Sequence, residues 1–129
     1  MTINKPQIIK DVGFDFSWDE KNVWKLQIET VKMDITNLIW HFDIPFLWVD
    51  GGVYNATPKE VMENPEKYQS EYERTMDADM KYPIDIMENK GRWLILDGLH
   101  RLMKASVMGI TEVDVRIIPR DEIQNITTN

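Results

Sequence analysis

The stretch from residue 93 to residue 119 constrains the fold more than any other part of the chain. Trp93-Leu94-Ile95-Leu96 is apolar without alternation, Asp97-Gly98 closes it, and Leu99, Leu102, Met103, Ser106 and Val107 then recur at helical spacing as far as Gly109. Val113, Val115 and Ile117 follow, alternating with Asp114 and Arg116 up to Pro119. The direct reading is a strand, a turn, a helix with a glycine stop and a second strand. An unbroken apolar run implies burial on both faces, which predicts that the first of these strands lies in the middle of its sheet. Upstream, Pro83-Ile84-Asp85-Ile86-Met87 reads as a strand and Glu88-Asn89-Lys90-Gly91 as a tight turn, so this strand and the one after Arg92 form a hairpin. Strands and helices interleaved in this way make a small α/β domain.

The rest of the chain is organised around that unit. Residues 23–31 alternate, with Trp24, Leu26 and Ile28 on one side, and predict a half-buried strand. Residues 33–43 suggest a short helix or turn, and Pro45 with Asp50-Gly51-Gly52 an irregular loop. Thr57-Pro58-Lys59-Glu60 starts a short helix, because Thr57 can cap, Pro58 suits the first helical position and Glu60 completes a capping box. Asn64-Pro65-Glu66 interrupts it and starts another, with Tyr68, Tyr72, Met76 and Met80 on one stripe and Glu71, Arg74 and Asp77 exposed. Residues 1–22 are expected to form an N-terminal arm lying on a domain of residues 23–119, and residues 120–129 a polar tail that frays.

A chain of 129 residues with 43% hydrophobic composition suits one domain and can bury a continuous core. Its 22 Asp and Glu against 15 Lys and Arg give a net charge of -7, which disfavours general nucleic-acid binding. There is no cysteine, so disulfides, Cys-ligated metals and thiol nucleophiles are excluded. No secretory leader or membrane span is legible, and the expectation is a cytoplasmic protein without a membrane partner.

Chemistry is expected at Asp97-Gly98-Leu99-His100-Arg101. The first amides of a helix lack intrahelical partners and carry partial positive charge, so a glycine turn before them attracts anions such as phosphate. His100 and Lys104 share a face, and Arg101 lies on the next, adding basic donors at that end. Asp97 could hold a divalent metal or accept a proton, and its plain alternative is a helix cap.

Residues 94–105, followed by Gly109 and Val113-Asp114-Val115-Arg116-Ile117-Ile118-Pro119, resemble the signature segment of the ParB and sulfiredoxin superfamily. The resemblance implies an α+β fold in which helices flank a small mixed sheet, running from about residue 23 to residue 119. It also implies that Gly98, Leu99, His100 and Arg101 bind nucleotide phosphates, those of ATP in sulfiredoxins and of CTP in ParB clamps. Related free-serine kinases use the same place for phosphoryl transfer. Leu99 stands where sulfiredoxins have their nucleophilic cysteine, which excludes sulfinic-acid repair. The second Arg-rich box and helix-turn-helix domain of ParB clamps find no counterpart here, so a centromere-binding partition protein is not expected.

Other residues have plainer readings. His41 and Asp43, two apart in Trp40-His41-Phe42-Asp43, would point to one side of an extended loop as a secondary metal or base candidate, against a plain reading of His41 as a hydrogen-bonded surface residue. Asp77 and Asp79, with Asp85 nearby, could be acidic metal ligands, but Asp77 and Asp79 face different ways on a helix and solvated surface is the plainer reading, while Met76, Met80, Met87 and Met103 fall at packing positions. The leading expectation is therefore a nucleotide di- or triphosphate, or another phosphate-bearing small molecule, bound at residues 97–101 and Lys104. Mg2+ would sit on Asp97, and Asp97 and His100 would be the catalytic candidates for phosphoryl transfer or hydrolysis. The rivals are a noncatalytic accessory protein docking a protein partner through its aromatic arm and residues 46–54, and a ParB-like nuclease, which the acidic balance disfavours.

Overall fold

Residues 5–128 are described in a computed structural model. Helices α1 (Gln7–Asp11) and α2 (Glu20–Trp24) precede strand β1 (Thr30–Asp34), and two 3-10 turns, Ile35–Asn37 and Ile39–Asp43, lead into the loop before α3 (Pro58–Glu63) and α4 (Gln69–Met76). The hairpin β2 (Ile84–Asn89) and β3 (Arg92–Asp97) follows, then α5 (Leu99–Val107), β4 (Glu112–Ile117), a 3-10 turn at Arg120–Glu122 and α6 (Ile123–Ile126). The sheet is mixed, in the order β1-β4-β2-β3, with β4 parallel to β2 and the outer pairs antiparallel. This is the small α+β architecture that the pattern of strands and helices predicts. No helix among the described residues is long and apolar enough to cross a membrane.

Local chemistry explains the elements that form as expected. Lys90 and Gly91 both have positive φ, the left-handed pair that matches the twist of a two-residue hairpin. The capping box of α3 is complete, since the Thr57 hydroxyl accepts from the Glu60 amide while the Glu60 carboxylate accepts from that of Thr57. Gly109 takes positive φ just after α5, where a helix stop needs it.

Four readings are corrected. The alternating segment from residue 23 is not one strand, for helix α2 occupies its start and β1 begins only at Thr30. The helix wins because Asp19 caps it by accepting from the Lys21 amide, while the Arg116 guanidinium, distant in sequence, takes the carbonyls of Val23 and Leu26 near its end. Secondly, β3 is an edge strand and β2 and β4 are central. Its run lacks alternation because both faces are covered: Ile95 packs into the main core with Leu102 and Met103, Leu96 into a second cluster with Val23 and Ile126, and Leu94 into a third with Ile9 and Phe14. Its exposed backbone is met by side chains, the Trp40 indole donating to the Trp93 carbonyl and the Ile95 amide donating to His41.

Thirdly, the tail expected to fray is structural, and it meets an arm that packs on the domain. Ile9, Val12 and Phe14 are buried, as is Ile126 in α6, and Trp18 pairs with Thr127 so that the two ends clasp each other. Residues 1–4 of the arm and 129 of the tail lie outside the described residues. Fourthly, α4 starts at Gln69, four residues beyond Pro65, and Glu71 turns inward to His100 instead of facing solvent.

Candidate functional site

The termini of β2 and β3 bring together two charged pairs. Asp85, at the start of β2, stands directly opposite Asp97, at the end of β3, and like charges in that register repel. Each is answered by a guanidinium. Arg116 of β4 donates through Nε to Asp85 Oδ1 at 2.6 Å, and Arg101 of α5 donates through Nη2 to Asp97 Oδ2 at 3.0 Å. Burial pushes the Asp85 carboxyl up from the usual range, with Arg116 pulling the other way. Asp85 is 3% exposed, so its charge survives folding only through that partner.

Trp24, at the end of α2, completes the group by donating its indole N–H to Asp97 Oδ2 at 2.8 Å. These side chains, with Tyr82 and Pro83, line a cleft of about 560 Å³, within the size range of small-molecule sites. Glu20 lies near its edge, and burial together with the Asp97 charge raises its carboxyl. No match was found among protein families, curated proteins or solved structures.

Asp97 and Arg101 are the two sequence candidates that reach the cleft. Gly98 has positive φ and sits so close to β2 that a Cβ there would lie 3.2 Å from Ile84, so it serves the close packing of the turn on its neighbour. Leu99 packs against the main core. His100 donates to or accepts from Glu71 at 2.9 Å, and the Lys104 ammonium donates to the Ala78 carbonyl, so both tie α5 to α4 and the loop after it. No side chain caps α5, and among the described residues the amides of Leu99, His100 and Arg101 bond no protein acceptor. Arg101 itself also donates to the Pro83 carbonyl.

The second candidate pair separates. In a 3-10 turn, residues two apart point away from each other, and His41 is 1% exposed while Asp43 faces solvent. His41 belongs to the core, so the surface reading is corrected as well. Its Nδ1 faces the Leu38 carbonyl at 2.6 Å and its Nε2 accepts from the Ile95 amide at 3.1 Å, which assigns the proton to Nδ1. Desolvation by burial lowers its pKa to about 4, so the ring is neutral.

Trp24, Tyr82, Pro83 and Arg116 of the cleft escape the sequence reading, and Asp85 is set aside there together with Asp77 and Asp79. Asp85 and Arg116 carry a weak signal, a charge between apolar neighbours within a strand, which alternation reads as a solvent-facing position. Trp24 carried none, because its alternating context placed it on a buried face.

Proposed function

We propose that the chain is a ligand-binding domain of the ParB/sulfiredoxin kind that holds a nucleotide, or another phosphate-bearing small molecule, in the cleft beside Asp97 and Arg101. One observation carries this reading. Arg101 lines the cleft with two of its five N–H donors on protein acceptors, which leaves the others for an anion. The resemblance of residues 94–105 to the superfamily's phosphate-binding segment supports the same place.

Asp97 keeps one carboxylate oxygen free of protein donors among the described residues. Mg2+ takes one or two carboxylates and completes its shell with water and phosphate oxygens, and Asp97 fits that demand, although no three His, Asp or Glu side chains converge among the described residues. Bound there, the ion would neutralise phosphate charge. For phosphoryl transfer or hydrolysis the free Asp97 oxygen would serve either as the ligand of the ion or, without the ion, as the proton acceptor, and not as both at once, whereas His100 would first have to leave Glu71. Binding is therefore the part we put forward first.

Thermal-shift and calorimetric titrations with ATP, ADP, CTP and GTP, each with and without Mg2+, test it. One nucleotide should raise the wild-type midpoint, and Arg101→Ala, itself folded by circular dichroism, should lose that response. A wild type indifferent to all four nucleotides would overturn the reading.

A second reading rests on a separate observation. Trp48 is 45% exposed near the base of a loop closed by the pairing of Leu47 with Ala56 and by Asn55, whose side chain bonds both the amide and the carbonyl of Val49. An exposed aromatic on a fixed loop suits a protein partner. Co-purification of one stoichiometric partner, abolished by Trp48→Ala, would favour this accessory role.

A further inference from the structure

We infer that Trp24 is a ring-binding wall of the cleft, so that the ligand joins a flat aromatic ring to its anionic group. The inference rests on the reading of Arg101 as the anion site and adds the chemistry of the rest of the ligand.

Three features of Trp24 combine. Its side chain leaves the residue 55% exposed, a large apolar surface left in water, yet the indole is not free to turn, because Asp97 holds its N–H. The backbone around it is fixed as well, since Arg116 takes the carbonyls of Val23 and Leu26 on either side while its Nε stays on Asp85. An exposed ring held by two independent anchors is a prepared surface, with little ordering left to pay when a flat partner stacks on it.

Position supplies the second half. Asp97 Oδ2 accepts from Trp24 and from Arg101 at once, which puts the indole nitrogen and the guanidinium nitrogen within about 6 Å of each other. A phosphate seated on the remaining Arg101 donors therefore has its next group within reach of the indole, which lines the same cleft. Tyr82, 57% exposed, lines the same cleft and offers a second aromatic surface. The two carboxylates there do not call for a cationic group on the ligand itself, since each already has a guanidinium within 3.0 Å, and the one free Asp97 oxygen suits Mg2+. By contrast, the exposed Trp48 packs edge-on against Tyr54 and is not among the residues that line this cleft.

The experiment compares ligands that share the anion and differ in the ring. Wild type, Trp24→Leu and Trp24→Tyr are titrated by calorimetry with ATP, CTP and GTP and with inorganic tripolyphosphate, each with Mg2+, and tryptophan emission is followed in parallel. Stacking on an aromatic side chain predicts that the best nucleotide binds at least about tenfold tighter than tripolyphosphate. Trp24→Leu should erase that ratio and the accompanying emission change while leaving the tripolyphosphate affinity within about twofold, and Trp24→Tyr should restore much of it. If tripolyphosphate binds as tightly as every nucleotide, or if folded Trp24→Leu keeps the wild-type ratio, the ring-binding role is overturned and the anion site stands. If neither tripolyphosphate nor any nucleotide binds the wild type, both fall together.

Discussion

Acid should unfold this protein through His41 before its carboxylates titrate. The imidazole is buried and neutral, stacked on Trp40 with ring centroids 3.8 Å apart, and its two nitrogens are committed to Leu38 and Ile95. Its pKa is about 4 in the folded protein against 6.5 when solvated. Between those values the unfolded chain binds the proton and the folded one does not, so stability is complete above about pH 6.5 and is lost as pH falls toward 4. The full difference corresponds to about 3 kcal/mol, of which about 2 kcal/mol is gone by pH 5. That is a large share of the roughly 5–15 kcal/mol that holds a domain folded. Urea unfolding at half-unit steps from pH 7.5 to 4.5 measures it, and NMR of the ring should show no protonation until pH approaches 4. His41→Gln keeps a donor and an acceptor and cannot titrate, so it should be less stable at neutral pH and lack this component of the slope. Identical slopes in wild type and His41→Gln would refute the reasoning, because the uptake of a proton on unfolding would then belong to other groups.

Three other perturbations have defined outcomes. Arg116→Ala leaves Asp85 buried without its partner and strips the donors from the Val23 and Leu26 carbonyls at the end of α2, and should cost about 3 kcal/mol, on the order of 10 °C in melting temperature, with the double variant Arg116→Ala/Asp85→Asn recovering part of it. Ile126→Ala removes a fully buried side chain that joins α6 to Val23 and Leu96, and denaturant unfolding should show a loss of about 2–4 kcal/mol, whereas a tail that frays would show almost none. Gly98→Ala forces a Cβ onto a φ of +117° and against Ile84, so thermal melting should report a loss of about 1–3 kcal/mol, larger than for Gly51→Ala, where a Cβ meets nothing within 4 Å.

The legible parts of this chain are those whose signals are local. The hairpin shows in Asn89-Lys90-Gly91 between apolar runs, the start of α3 in Thr57-Pro58-Lys59-Glu60, and the strand-turn-helix of residues 93–107 in its periodicity and glycines. The site was half legible for the same reason. Asp97 and Arg101 stand at a recognisable strand-to-helix turn and do reach the cleft, while His100 and Lys104, four apart on the same helix, are drawn away by Glu71 and the Ala78 carbonyl, partners that no spacing within α5 could announce. Trp24 failed most plainly, since residues 23–31 alternate like a strand and a guanidinium more than ninety residues later turns the first part into a helix end.

By itself the sequence determined which segments are strands and helices where turn chemistry and periodicity agree, and that one domain with an apolar strand before a glycine turn must result. Only the tertiary structure decided that β3 is an edge, that Ile9 of α1 and Ile126 of α6 belong to the core, and that Trp24, Asp85 and Arg116 surround the Asp97–Arg101 pair. The physical reason is that burial and hydrogen-bond satisfaction are properties of the packed whole. A run of apolar residues records that it is covered without recording by what, and a charged side chain inside a strand records a need for a partner without saying where in the chain that partner lies.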